Sequence, residues 1–139
     1  IKLDTNETFH ESFSFRPGTK SILIKLLNAK VGLTICYDIR FPNLYKTLTD
    51  KGAQILCIPS AFTSSTGHSH WEILLRARAI ENQTFVLAPA QCGFHGNGRR
   101  SWGHSMAIDP FGKILVDGGI DPGVNFVDID VNLAKNKSN

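Results

Sequence analysis

The chain has 139 residues, 42% of them hydrophobic and 19% charged, and 15 Lys and Arg against 12 Asp and Glu leave a net charge of +3. That length predicts one domain or part of a larger one, and the apolar content excludes a disordered chain. No apolar run approaches the roughly 18 residues that cross a bilayer. The positive charge gathers nowhere more densely than at Arg99–Arg100, so neither a membrane nor a nucleic-acid partner is expected.

In chain order, residues 1–20 read as a polar arm with scattered aromatics and a Pro17-Gly18 turn. Ile22 to Leu27 predicts a strand, Asn28-Ala29-Lys30 a turn, and Val31 to Cys36 a second strand, apolar on both faces as in a covered sheet. Phe41-Pro42 opens a helix through Leu44, Tyr45, Leu48 and Thr49 that Lys51-Gly52 ends. Ala53 to Pro59 predicts a buried strand, and 60–69 a flexible Ser/Thr/Gly loop. The segment 70–82 carries Ile73, Leu74, Ala77 and Ile80 at helical spacing, and Thr84 to Ala90 predicts another strand.

Residues 91–103 read as a glycine- and arginine-rich loop, followed by short strands at 104–109, 114–116 and 124–129. Asp109-Pro110-Phe111-Gly112 is a hairpin turn between the first two of these strands. The alternation of strand and helix over 21–90 argues for a layered α/β fold. The polar flanks have nothing in this sequence to dock on, so the chain is expected to be cut at both ends. The opening Ile1-Lys2-Leu3-Asp4 lacks an initiator Met, and more chain is expected upstream.

Cys36, Cys57 and Cys92 form neither an even set nor a close pair, which points to a reducing, cytoplasmic setting. Cys36 ends a strand and precedes a helix. In α/β folds such strand-to-helix loops face ligands, and nearby N–H groups favour a thiolate. The alternative is a packed cysteine acting as a small hydrophobe. Cys57, between Leu56 and Ile58, reads as core, and Cys92 lies in a polar loop.

Partners for a thiol nucleophile are sought among Glu72, Glu81, His68, His70, His95 and His104. His68 and His70 could start a metal site, but no spacing completes one, so no metal and no cofactor is expected. Trp71, Ile73, Leu74 and Leu75 crowd the helix that also carries Glu72, Arg76, Arg78 and Glu81. Such charges on a broadly buried helix need internal partners.

The blocks GLTICYDIRFP (32–42), ILCIPSAF (55–62), HWEILLRARAIENQ (70–83), APAQCG (88–93) and GHSMAIDPFGK (103–113) resemble the nitrilase superfamily of carbon–nitrogen hydrolases. Within it they are most similar to the branch containing the Nit domain of NitFhit and the deaminated-glutathione amidases. The resemblance implies a four-layer αββα sandwich of which residues 1–139 are the carboxyl-terminal part, about half of the family domain. It implies a Glu-Lys-Cys triad with Cys36 as nucleophile, Glu72 as an orienting acidic residue and the Tyr37 backbone N–H holding the oxyanion. Arg40, Arg76 and Arg100 are candidates to meet a substrate carboxylate.

The family's catalytic Glu and Lys match no residue of this chain. Lys2, Glu7, Glu11 and Lys20 are not assigned to those roles, and the Lys is expected immediately before Ile1. The resemblance implies a homodimer or higher homo-oligomer acting on a small carboxylated amide. Deaminated glutathione is the first expectation and ω-amides such as α-ketoglutaramate the second. An inactive half-domain remnant is the alternative to an enzyme.

Overall fold

Runs of aliphatic and β-branched residues build one mixed sheet. In the computed structural model, which describes residues 14–96 and 98–134, the strands are β1 (Ile22–Leu26), β2 (Ala29–Leu33), β3 (Ile55–Cys57), β4 (Phe85–Ala88), β5 (Cys92–Phe94), β6 (Arg100–Trp102), β7 (Met106–Ile108) and β8 (Ile114–Asp117). The helices are α1 (Pro42–Asp50), the single turn α2 (Ser64–Thr66) and α3 (Glu72–Asn82). Most of the amino-terminal arm, with Lys2, Glu7 and Glu11, and the tail 135–139 lie outside the described residues.

Six strands form the sheet in the order β1-β2-β3-β4-β7-β8. β2, β3 and β4 are parallel, as the strand–helix–strand alternation predicts, while β1, β7 and β8 add antiparallel neighbours. The period of two divides every strand between two faces. Gly32, Leu56, Val86 and Ile108 stand in register on one face, and Val31, Ile55 and Phe85 on the other.

α1 and α3 cover the first face, where Tyr45, Leu48, Leu56, Trp71, Leu75, Val86 and Ile108 are all buried. Gly32 permits the close approach of α1: a Cβ there would stand 3.1 Å from Leu48 Cδ1. Pro42 occupies the first turn of α1, and Gly52, at a φ of 95°, ends it. The second face is covered less, with Ala29, Val31, Ile55, Phe85 and Ala134 buried together and Leu115, Ile129 and Val131 packed beside them.

Several elements depart from the sequence expectations. The loop at 91–103 contains the hairpin β5–β6, closed by His95 N–H to the Arg99 carbonyl at 2.8 Å. Its strands of three residues are too short to show a period. The segment 60–69 is folded as α2 followed by a π-helical turn, Gly67–Trp71. Residues 124–129, expected as a strand, find no ladder partner among the described residues, and Val124 and Phe126 are exposed.

On α3 the helical spacing of Ile73 and Ile80 suggests the buried face, yet these are 69% and 51% exposed. The helix instead buries Leu75, Arg78, Ala79 and Asn82. That orientation is possible because Arg78 and Asn82 have polar partners inside, as derived below.

Candidate active site

Cys36 stands just beyond the carboxyl end of β2, where the chain turns before α1. A 3-10 turn, Cys36–Arg40, fills the space between strand and helix. Asp38 builds its entry: the Asp38 carboxylate accepts from Ile35 N–H at 2.9 Å, and Asp38 N–H donates to the Ile35 carbonyl at 3.0 Å. Cys36 itself has a φ of 44°, in the left-handed region. A residue with a Cβ pays roughly 1–2 kcal/mol for that conformation, so surrounding contacts must impose it.

One such contact is from Cys36 N–H to the carbonyl of Pro59, 2.9 Å away, just past the carboxyl end of β3. Thr34, two residues before Cys36, is also tied to β3 through its backbone N–H and its hydroxyl, both donated to the Cys57 carbonyl. The thiol is half-buried, at the edge of the closed core. Tyr37 is the second residue of the turn, so its N–H has no carbonyl one turn earlier within the element.

Arg40 closes the turn. Its guanidinium lies 5.6 Å from the ring centres of both Tyr37 and Phe62 and donates to His70 Nδ1 at 3.2 Å. Its Nε is buried and, among the described residues, has no hydrogen-bond partner. Phe62, from the loop after β3, packs on Trp71 at 4.9 Å between ring centres. Sequence reasoning did not reach Phe62 as part of this cluster. Its one visible signal is the position of Phe62 after the carboxyl end of a parallel strand.

The other residues picked from sequence have partners of their own. Glu72 forms an ion pair with Arg76 at 3.1 Å, both side chains half-exposed. Arg76 also donates from Nε to the Gly112 carbonyl at 2.9 Å, which ties α3 to the β7–β8 turn. Arg100 lies over the Phe94 ring at 5.1 Å on the β5–β6 hairpin. Of the three arginines, only Arg40 belongs to the Cys36 turn.

The histidines divide: His70 meets Arg40 of the Cys36 turn, His95 pairs with Ser101, and two gather on Trp102. His68 meets Trp102 edge-on, while His104 stacks on that ring and holds its Nδ1 3.0 Å from the Asp117 carboxylate. Among the described residues no group of three or more His, Cys, Asp or Glu is arranged to hold a metal ion. Cys57 faces the second side of the sheet, where burial pushes its thiol pKa up and keeps it protonated. The Cys36–Arg40 turn thus offers a thiol on a residue held by its backbone, the N–H of the next residue, and the Arg40 guanidinium at its other end.

Comparison with known proteins gives a consistent result. The family model described as "Carbon-nitrogen hydrolase" matches residues 2–137. A deaminated glutathione amidase of Synechocystis sp. is 51% identical over 137 residues, which cover 97% of this chain and 50% of that protein. The crystal structure of the C. elegans NitFhit protein superposes with a TM-score of 0.88 at 42% identity, covering 96% of this chain and 33% of that one. A mutant of the amidase from Nesterenkonia sp. AN1, described with acrylamide added at its active site cysteine, superposes with a TM-score of 0.78 at 29% identity over 92% of this chain and 50% of that one. The chain spans about half the length of the curated relative it matches.

Proposed function

The chain belongs to the carbon–nitrogen hydrolase family, and from that premise we propose that it carries the nucleophile half of an amidase acting on deaminated glutathione. The observation that carries the reading is the placement of Cys36: a half-buried cysteine with left-handed backbone at the carboxyl end of a parallel strand. The similarity to the Nesterenkonia amidase, which carries an acrylamide adduct on its active site cysteine, supports the same role here.

In this reading the Cys36 thiolate attacks the amide carbonyl carbon. The C–O π electrons move onto oxygen, where the Tyr37 N–H helps to hold the developing charge. Collapse breaks the C–N bond, and the nitrogen leaves as ammonia or an amine with the proton that the general base had taken from the Cys36 thiol, so that a thioester remains on Cys36. A water molecule, losing its proton to a general base, then attacks the thioester, and the acid leaves as the thiolate re-forms. Arg40 is the arginine best placed to meet a substrate carboxylate, since Arg76 and Arg100 are engaged elsewhere.

The general base Glu and the catalytic Lys are assigned to sequence outside these residues. Glu72 acts as an orienting acid. The less covered sheet face, with Leu33 and Ile24 exposed, is assigned to contact with the second sheet of a four-layer αββα sandwich. The protein is proposed to work as a homodimer in the cytoplasm.

The test uses the protein at its native length, incubated with deaminated glutathione and, separately, with α-ketoglutaramate. Intact mass spectrometry follows the acyl-enzyme, and product is measured against time. The expected result is turnover of deaminated glutathione with a transient adduct on Cys36, both abolished by Cys36→Ala. Turnover that survives Cys36→Ala rejects the nucleophile, and preferential turnover of α-ketoglutaramate rejects the substrate.

A further inference from the structure

Arg78 is 6% exposed and carries a charge in the core between α3 and α1. A buried guanidinium is retained only with partners, and three groups surround this one. Glu81, three residues along the same helix, takes Nη1 at 2.6 Å. The Tyr45 ring of α1 lies 5.5 Å beneath the guanidinium carbon. The third contact leaves the helix layer: Nε donates at 2.8 Å to the carbonyl of Ile39, inside the Cys36–Arg40 turn.

The same tyrosine reaches the chain on the other side of the thiol. Tyr45 Oη and Thr34 Oγ1 are 3.0 Å apart, and the Thr34 hydroxyl donates to the Cys57 carbonyl. Arg78 thus grips the turn after Cys36 directly, and supports through Tyr45 the strand end before it. Behind the ion pair, Asn82 donates to the Arg78 carbonyl at 2.9 Å and accepts from Thr49 of α1 at 3.2 Å, which fixes the helix that delivers Arg78.

We propose that Arg78 is a positioning residue for Cys36: its bond to the Ile39 carbonyl, backed by Glu81 and Tyr45, holds the 3-10 turn in which Cys36 keeps its left-handed conformation. The inference rests on the nucleophile reading of Cys36 and deepens it. The unfavourable φ of Cys36 needs an opposing constraint, and a charge-assisted bond to the fourth residue of the same five-residue turn supplies one. Loss of the bond frees the turn, and the thiol loses its fixed relation to the Tyr37 N–H.

The experiment measures iodoacetamide alkylation of Cys36 across the thiol titration range by peptide-resolved mass spectrometry, with Cys92 of the same molecule as the internal reference. The protein is used at its native length, below the melting transition of each variant. Arg78→Met is expected to slow Cys36 relative to Cys92 by roughly tenfold near neutral pH, the equivalent of one charge-assisted hydrogen bond, and to move the Cys36 midpoint upward. Arg78→Lys, which keeps the charge and one donor, recovers part of the rate. Val86→Ala lowers stability through a cavity in the same core without a bond to the turn, and leaves the ratio within about twofold.

Should Arg78→Met not fold, Arg78→Lys and Glu81→Gln carry the test, each expected to slow Cys36 in the same direction. An unchanged ratio and midpoint in the arginine variants, or an equal shift in Val86→Ala, overturns the positioning role while leaving the nucleophile in place. Wild-type Cys36 alkylating no faster than Cys92 overturns the nucleophile reading itself, and the positioning role with it.

Discussion

On the side of the sheet that carries α1 and α3, Leu56, Val86 and Ile108 are fully closed off from solvent, whereas Leu33 and Ile24, facing the opposite side, are each 39% exposed. The same strands supply both faces, so the difference lies in what covers them. The closed face has two helices whose side chains reach between the strands. The other has, among the described residues, the segment 129–134, anchored where the Gln54 side chain donates to the Val131 carbonyl at 3.1 Å. Among the described residues, the hydrogen bonds that shape the Cys36 turn come from the closed side or from the neighbouring strand ends. The site therefore derives its rigidity from one layer of the molecule.

The sharpest way to break that comparison is to remove a large side chain from each face. Trp71 is fully buried against Phe62 and donates from its indole to the His104 carbonyl at 2.7 Å, so it joins the π-helical turn to the chain before β7. Trp71→Ala is expected to cost about 3–5 kcal/mol. Leu33→Ala on the other face is expected to cost less than about 1 kcal/mol, because its side chain is already in partial contact with water. Urea unfolding of both variants checks this, and equal costs would show that the second face is closed by something beyond the described residues.

A smaller effect reports on the polar seam within the closed face. Burial pushes the Tyr45 phenol far above its ordinary pKa, with the Thr34 hydrogen bond opposing and Asp38 adding to the rise. The folded protein therefore holds this proton at alkaline pH values where the unfolded chain has released it. Stability is unaffected below the ordinary phenol range and falls as pH rises through it, since the native state then binds more protons. Tyr45→Phe keeps the ring under Arg78 but removes the hydroxyl. It is expected to cost about 1 kcal/mol at neutral pH and to flatten the alkaline fall, both readable from thermal melts at stepped pH.

How much of this was legible in the sequence depends on the range of the interaction. The parallel core β2-β3-β4 could be read because three apolar runs are separated by helix-length segments, the first with a Pro start and a Gly stop. Cys36 could be placed at a strand end for the same reason. The hairpin β5–β6 could not, because three-residue strands carry no period. The rotation of α3 was illegible for another reason: two apolar stripes compete on it, and the winner buries Arg78. The Ile39 carbonyl, 39 positions away, and the Tyr45 ring join Glu81 on the same helix in making that burial acceptable. The Arg40–His70 contact likewise joins groups 30 positions apart that no spacing rule connects.

Glu72 gives the smallest stability effect and the most discriminating one. Its carboxylate sits half-exposed with Arg76 four residues on, an arrangement worth about 0.3–0.5 kcal/mol on a helix surface. Glu72→Gln keeps the size of the side chain and removes only the charge, so the melting transition should barely move. If the carboxylate does nothing beyond pairing with Arg76, turnover of deaminated glutathione should be equally unmoved. If it orients the site as proposed, kcat should fall by at least roughly tenfold with KM little changed, the pattern of an interaction made in the transition state. The closed face explains why the two quantities can separate here: with Trp71 and Leu75 buried on either side of it, α3 holds its place without Glu72. The charge is then free to be read by chemistry alone.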